Sequence, residues 1–356
     1  PDAHTRHLSM EEPVRLTAYS HGAGCGCKIA PAQLDEILRS AARVAADPRL
    51  LVGHETRDDA AVMELGNGQC LVSTTDFFSP IVDDPGDFGR IAAANALSDV
   101  YAMGGTPLMA VAILGWPVEK LGTAVANRVV EGGRATCQEA GIPLAGGHSI
   151  DAPEPFFGLA VTGLVRREGI KRNNTARPGD VLYLTKPLGT GILSTAQKRG
   201  LLRPEHAHIG RDLMVRLNSF GAQLADLDGV HAVTDVTGFG LGGHLIEMCD
   251  GGRLVAELEF SKVPVVPEAL TYLSAGCYPD GSFRNWRSIG PRTTGAGAMD
   301  RMMVLSDPQT NGGLLVACAP AHAAALEALL RSAGLPVHPI GSFNAGSGDP
   351  QFVHVQ

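Results

Sequence analysis

The sequence predicts an α/β chain of two consecutive domains. Three observations carry this. Its 356 residues exceed what one hydrophobic core usually serves. Stretches of strand and helix character alternate along both halves, the pattern of α/β domains. Between the halves lies "RREGIKRNNTARPGD", residues 166–180, a charged and turn-rich segment of the kind that links domains. The expected organisation is a glycine-rich, flexible N-terminal lid over 1–30, an N-terminal domain over 31–168 and a C-terminal domain over 169–356.

Taken in order, Leu34, Ile37, Leu38, Ala41 and Val44 recur at helical spacing, which predicts a helix over 34–46. "QCLVSTTDFF" (69–78) reads as a buried strand running into a loop at Asp76. "FGRIAAANALSDVYAMGG" (88–105) reads as a helix stopped by its closing glycines. "PLMAVAILGW" is a strand, and "EKLGTAVANRVVEGGRATCQEAG" a long helix. "IPLAGGHSID" is a strand that breaks at its double glycine, and "FFGLAVTGLV" (156–165) another strand. The second half resumes with strand "VLYLT", loop "KPLGTG" and a helix near 211–227. Strand, loop and helix follow in "HAVTDVTGFGLGGHLIEM". Then come the loop "DPQTNGG", strand "LLVACA", helix "HAAALEALLRSAG" and strand "VHPIGSF".

Composition narrows the function classes. With 29 Lys+Arg against 37 Asp+Glu, the formal charge of −8 disfavours non-specific nucleic-acid binding, which needs basic surface. No run of about 18 apolar residues is present to span a membrane, and "PDAHTRHLSMEEPVRL" lacks a secretory pattern. Seven cysteines, an odd number with five standing singly, argue against a disulfide framework and for a reducing cytoplasm.

The acids point to chemistry. Asp58 and Asp59 stand together in "RDDAAV", Asp76 ends an apolar stretch, and Asp235 lies in "TDVTGFG". Asp99 sits inside a mostly apolar helix, with Asn95 one turn earlier on the same face. Buried carboxylates on separate elements repel unless cations lie among them, and Mg²⁺ commonly joins carboxylates to substrate phosphates. Taken singly, Asp58, Asp76 and Asp235 read better as cap or turn residues. Asp99 has no cap to make. "GFGLGG" matches a dinucleotide fingerprint through Gly238, Gly240 and Gly243, with Glu257 about 20 residues on. The polar approach "VTDVT" makes this the weaker reading. A phosphate-binding Walker loop is absent, since Cys27 and Ile29 stand where Gly and Ser or Thr are required.

"HGAGCGCK", residues 21–28, is the most unusual stretch. Cys25 and Cys27 are too close for the usual zinc half-site, and a disulfide over one residue would be strained. A reactive thiolate favoured by Lys28 on glycine-rich backbone is the preferred reading, ahead of a copper or zinc role and of a disordered tail with incidental cysteines, and Lys28 could also act as a point charge for phosphate.

Together "HGAGCGCK", "ETRDDAAV", "STTDFF", "ANALSDVYAMGG", "LAGGHSID", "TKPLGTG", "TDVTGFGL" and "DPQTNGG" resemble the selenophosphate synthetase (selenide, water dikinase) family. The ordered match runs from about residue 16 to the C-terminus. The resemblance implies a two-domain fold of the aminoimidazole ribonucleotide synthetase type, with N-terminal domains pairing into a dimeric β-barrel. It implies conversion of ATP, selenide and water into selenophosphate, AMP and orthophosphate, with Mg²⁺ and K⁺ as cofactors, in the cytoplasm. It supplies activated selenium for selenocysteine and seleno-tRNA synthesis, with a selenium-delivery protein as a possible partner. By motif position Cys25 and Lys28 are catalytic. Lys28, Asp76, Asp99, Gly146, Gly147, His148 and Ser149 are the nucleotide contacts, although His148 reads at least as well as a loop cap, and Asp59, Asp76, Asp99 and Asp235 are the metal ligands. The family's last glycine motif usually has Ser where this chain has Asn311. The competing readings are another ATP-dependent kinase or synthetase of the same fold, and a thiol carrier of selenium or metal.

Overall fold

The computed structural model describes residues 14–20, 24, 36–37, 47–53, 57–346 and 352–356. Cys25, Cys27, Lys28, His21 and all but Glu36 and Ile37 of the 34–46 helix lie outside the described residues.

The first half folds around one helix laid on a sheet. Strands β1 (Leu50–Val52), β2 (Ala61–Gly66) and β3 (Gln69–Phe78) lead to α1 (Pro85–Ala102). Asp84 starts α1 by accepting the amide of Asp87, with Pro85 in the first turn, where its missing N–H costs nothing. Helix α1 is rich in alanine and buried on nearly every side, which is why it shows no sharp polar face. It is followed by β4 (Thr106–Trp116), α2 (Val118–Glu139), β5 (Leu144–Asp151) and β6 (Phe156–Arg166). The six strands run in the order β1-β2-β3-β6-β4-β5. All pairs are antiparallel except β4 with β5. Val72, Phe88, Ile91, Leu97, Phe157 and Leu159 make the core beneath it, and Leu16 from the N-terminal segment is fully buried among them.

The second half has a seven-stranded sheet. It contains β7 (Val181–Leu184), α3 (Thr190–Lys198), α4 (Ala207–Val215), the short α5 (Gly221–Leu224), β8 (Val230–Asp235), α6 (Gly240–Gly252) and β9 (Leu254–Leu258). Next come α7 (Pro267–Ser274), α8 (Asp280–Ile289), β10 (Thr293–Thr294) and α9 (Met299–Leu305). The last elements are β11 (Leu314–Cys318), α10 (Ala323–Ser332), β12 (Gly341–Ala345) and β13 (Val353–Val355). The order is β10-β13-β9-β12-β7-β11-β8, largely antiparallel, so helices and sheet segregate as in α+β folds. Ala102 at the end of α1 packs with Tyr183, Phe220 and Leu314 of this half, so one helix serves both cores.

Three sequence expectations change. Strand β3 does not give way to a loop at Asp76; its pairing with β6 continues to Phe78, and Asp76 lies opposite Leu159. Strand β5 runs through its double glycine, although its register with β4 shifts between Leu144 and Gly147; Gly147 then lets the chain pair closely with β4, since a Cβ there would lie 2.2 Å from the Ala112 carbonyl oxygen. The helix near 211–227 is two pieces, α4 and α5, separated at 216–220. The cysteines Cys70, Cys137, Cys249, Cys277 and Cys318 are buried and free, as core residues. No helix among the described residues is long and apolar enough to cross a membrane.

Candidate active site

Three carboxylates converge where the two halves touch. Asp59 precedes β2, Asp99 lies near the end of α1, and Asp235 ends β8. One carboxylate oxygen from each lies within 4.8 Å of the others. Two threonines aim them. Thr234 Oγ1 donates to Asp59 Oδ1 at 2.8 Å, and Thr74 Oγ1 donates to Asp99 Oδ2 at 2.5 Å. The linker holds the approach to Asp59: the Asn173 amide donates to Asp58 Oδ1, and Asn173 Nδ2 donates to the Arg57 carbonyl, both at 2.8 Å.

The electrostatics are those of a site built to receive positive charge. Burial, then the neighbouring charges of Asp235 and Asp99, hold the Asp59 carboxyl well above the usual carboxylate range; the Thr234 hydroxyl pulls weakly the other way. Asp59 Oδ2 is enclosed and has no hydrogen-bond partner among the described residues. An orphaned buried oxygen beside two further carboxylates, with no nitrogen or sulfur donor in the group, fits a hard divalent cation such as Mg²⁺.

Asp76 stands outside this group of three. Its Oδ2 accepts from Asn95 Nδ2 at 2.5 Å, so α1 presents Asn95 to one residue of β3 and Asp99 to another. The shared helix face read from the sequence is therefore real, and both its polar members meet β3. Gly146, Gly147, His148 and Ser149 are exposed on the edge strand β5. Asp76 faces Leu159, Leu159 faces Ala112, and Ala112 faces Gly147. That row crosses three strand spacings, about 14 Å, so one chain does not gather these residues with the acids.

The N-terminal stretch can be followed at Gly24. Its amide donates to the Ser79 carbonyl at 3.1 Å. Its φ is +52°, and a Cβ there would lie 2.4 Å from Ile81 Cδ1 and 2.6 Å from Thr310 Oγ1. The residue before Cys25 is thus seated between the loop after β3 and the "DPQTNGG" loop. Further back, Thr17 Oγ1 donates to Asp83 Oδ1, and Lys198 Nζ donates to the Ser20 carbonyl.

The dinucleotide reading fails on geometry. Among the described strands β8 pairs with β11, antiparallel, and its one parallel bridge, Ala232 with Arg172, joins the linker and not a strand, so no parallel β-α-β unit frames "GFGLGG". Gly240, at φ +71°, is closed against the backbone of Leu305–Asp307, where a Cβ would come within 2.8 Å of the Leu305 oxygen. Its glycine serves packing. Sequence reasoning missed Thr74, Thr234, Asn173 and Gly24, whose roles arise from contacts between distant segments. Thr234 had one local signal, its place immediately before Asp235.

Two family models match the chain. "AIR synthase related protein, N-terminal domain" covers residues 57–165, and the corresponding C-terminal domain covers 177–351. A selenide, water dikinase from Aeromonas hydrophila is 58% identical over 344 residues, 96% of this chain and 99% of its own. One from Pseudomonas putida is 58% identical over 332 residues, 93% of this chain and 96% of its own. The chain belongs to the selenide, water dikinase family. Fold is shared more widely than sequence. Thiamine-monophosphate kinase from Stenotrophomonas maltophilia superposes with a TM-score of 0.65 at 23% identity, over 87% of this chain and 92% of that one. Of the four acids expected from the sequence as metal ligands, Asp59, Asp99 and Asp235 form the cluster, and Asp76 stands outside it.

Proposed function

We propose that this chain synthesises selenophosphate from ATP, selenide and water, releasing AMP and orthophosphate. Membership of the selenide, water dikinase family supports the reaction. The single structural observation that supports the chemistry is the convergence of Asp59, Asp99 and Asp235 from both halves of the chain. Phosphoryl transfer is mostly positioning and charge neutralisation, and these residues would hold the Mg²⁺ that bridges and neutralises phosphate oxygens when bound. Asp76, fixed by Asn95, would face the nucleotide side. K⁺ completes the cofactor set implied by the family resemblance.

Two phosphoanhydride bonds break on one nucleotide, so the ADP stage must be retained and water kept out until the second step. We assign this task to the N-terminal lid, with Cys25 handling selenium as a thiolate and Lys28 offsetting charge on the transferred phosphoryl group. Gly24, the residue before Cys25, is seated beside Ser79, Ile81 and Thr310, which supports a role for this stretch near the loop after β3. Because Leu16 is part of the core, deleting residues 1–30 would also uncover apolar surface; Cys25→Ser is the cleaner probe.

We further assign the open face of the six-stranded sheet to a homodimer. Phe77, Met109, Val111 and Ile150 are 48%, 43%, 36% and 52% exposed on strands of that sheet. An unpaired edge beside exposed apolar side chains is the kind of surface that a second copy covers. The same edge carries Gly146–Ser149, so in such a dimer those residues would lie near the meeting of the two copies.

Selenide-dependent AMP release, followed anaerobically by chromatography, tests the reaction. The wild type should release one AMP per ATP only when selenide is present. AMP release by Asp235→Asn at the wild-type rate would remove the acid cluster from the mechanism.

A further inference from the structure

We propose that Asn311 is a positioning residue for the reaction, aiming Asp76 at the nucleotide through Asn95. The inference rests on the nucleotide-side role assigned above to Asp76. Asn311 is 1% exposed and left-handed, with φ +46°, a conformation that costs most residues other than Gly and Asn. All of its polar groups are engaged. Its Nδ2 donates to the carbonyls of Met214 at 2.6 Å and Arg216 at 2.9 Å. Its own carbonyl accepts from Lys186 Nζ at 2.8 Å, and the same ammonium group donates to the Arg216 carbonyl at 2.7 Å. Asn218 joins the bundle by donating to the Gly312 carbonyl and to Ser98 Oγ on α1, both at 2.8 Å.

These bonds leave the backbone N–H of Asn311 no freedom, and it donates to Asn95 Oδ1 at 2.7 Å. Asn95 has one oxygen and one NH₂ at the end of its side chain. With the oxygen held by Asn311, the NH₂ is turned toward β3, where it donates to Asp76 Oδ2. The orientation of an active-site carboxylate is thus set from the "DPQTNGG" loop in the other half of the chain, across the interface between them. A serine at 311 has one hydroxyl proton and could satisfy only one of the two carbonyls that Nδ2 now serves. The same loop, at Thr310, also touches Gly24, so the seat of the N-terminal stretch and the aim of Asp76 share one anchor.

The test is a mutant cycle read by binding of a non-hydrolysable ATP analogue with Mg²⁺, using the full chain, with thermal melting alongside. Asn311→Gly keeps the left-handed backbone accessible and keeps the backbone N–H that meets Asn95, but removes the side-chain carboxamide that anchors it. It should weaken binding by about tenfold, the scale of one charge-assisted hydrogen bond. In an Asn95→Ala background the same change should cost less than about twofold, since the path to Asp76 is already cut. A merely structural role predicts the same factor in both backgrounds, or a lowered melting temperature with unchanged affinity; either result overturns the inference. Should Asn311→Gly not fold, Asn311→Ser carries the same comparison. Asp76→Asn separates the two claims. If it binds as the wild type does, the nucleotide-side role of Asp76 falls and the inference falls with it. If it binds weakly while Asn311→Gly binds normally, only the inference falls.

Discussion

At Asp59, function and stability pull in opposite directions. Its carboxyl is enclosed beside Asp235 and Asp99, and burial with those neighbours makes its charged form costly until a cation arrives. Asp59→Asn should therefore raise the melting temperature of metal-free protein by about 2–4 °C while lowering turnover at least about 100-fold. Calorimetry and AMP release on the same preparation check both halves. Loss of stability and activity together would mean that the carboxylate is structural. Gly24 gives a second residue-scale test. A methyl group there meets Ile81 and Thr310, and the +52° backbone is strained for alanine. Gly24→Ala should lower selenide-dependent turnover by about tenfold, with an unchanged fold by circular dichroism, since it would unseat the residue next to Cys25.

Among the elements, the first turn of α3 carries a pH-dependent load. Asp307 is fully buried beside Gly191, and burial pushes its carboxyl up to about 7 against the pull of Gln309 and the amides of Ile192 and Gly191. A raised folded value means that stability from the bound proton is complete below about 3.8, the ordinary value, and is lost as pH rises through about 7. Between pH 5 and pH 8 the wild type should lose about 2 kcal/mol more stability than Asp307→Asn. Equal pH slopes for the two proteins would contradict the assignment. The elements themselves were largely legible beforehand. The ordered motifs led to the acids, and helical spacing placed Asn95 and Asp99 on one face of α1. The extent of β3 and β5 was not legible, because ladder pairing to β6 and β4 overrides what glycine and aspartate suggest locally. Thr74, Thr234 and Asn311 were invisible as site residues for a related reason. Each acts on a partner 25 to 216 positions away, and no local pattern records that.

For the whole molecule, the two halves are interdependent at the site: Asp59 and Asp99 come from one, Asp235 and Thr234 from the other. The exposed sheet face adds a claim about assembly. Val111→Glu combined with Ile150→Glu places charge on that face, and should shift the protein from dimer to monomer in light scattering without unfolding it. A wild-type monomer at micromolar concentration would contradict the dimer assignment. The central claim is that the acid cluster assembled by both halves drives ATP through two phosphoryl steps to selenophosphate. Anaerobic ³¹P NMR of the full chain with ATP, Mg²⁺, K⁺ and selenide tests it most directly, with Asp235→Asn and Cys25→Ser beside the wild type. The account predicts selenophosphate, AMP and orthophosphate rising together in the wild type and no selenophosphate in either variant. ATP stopping at ADP in the wild type, or selenophosphate formed equally well by Asp235→Asn, would contradict it.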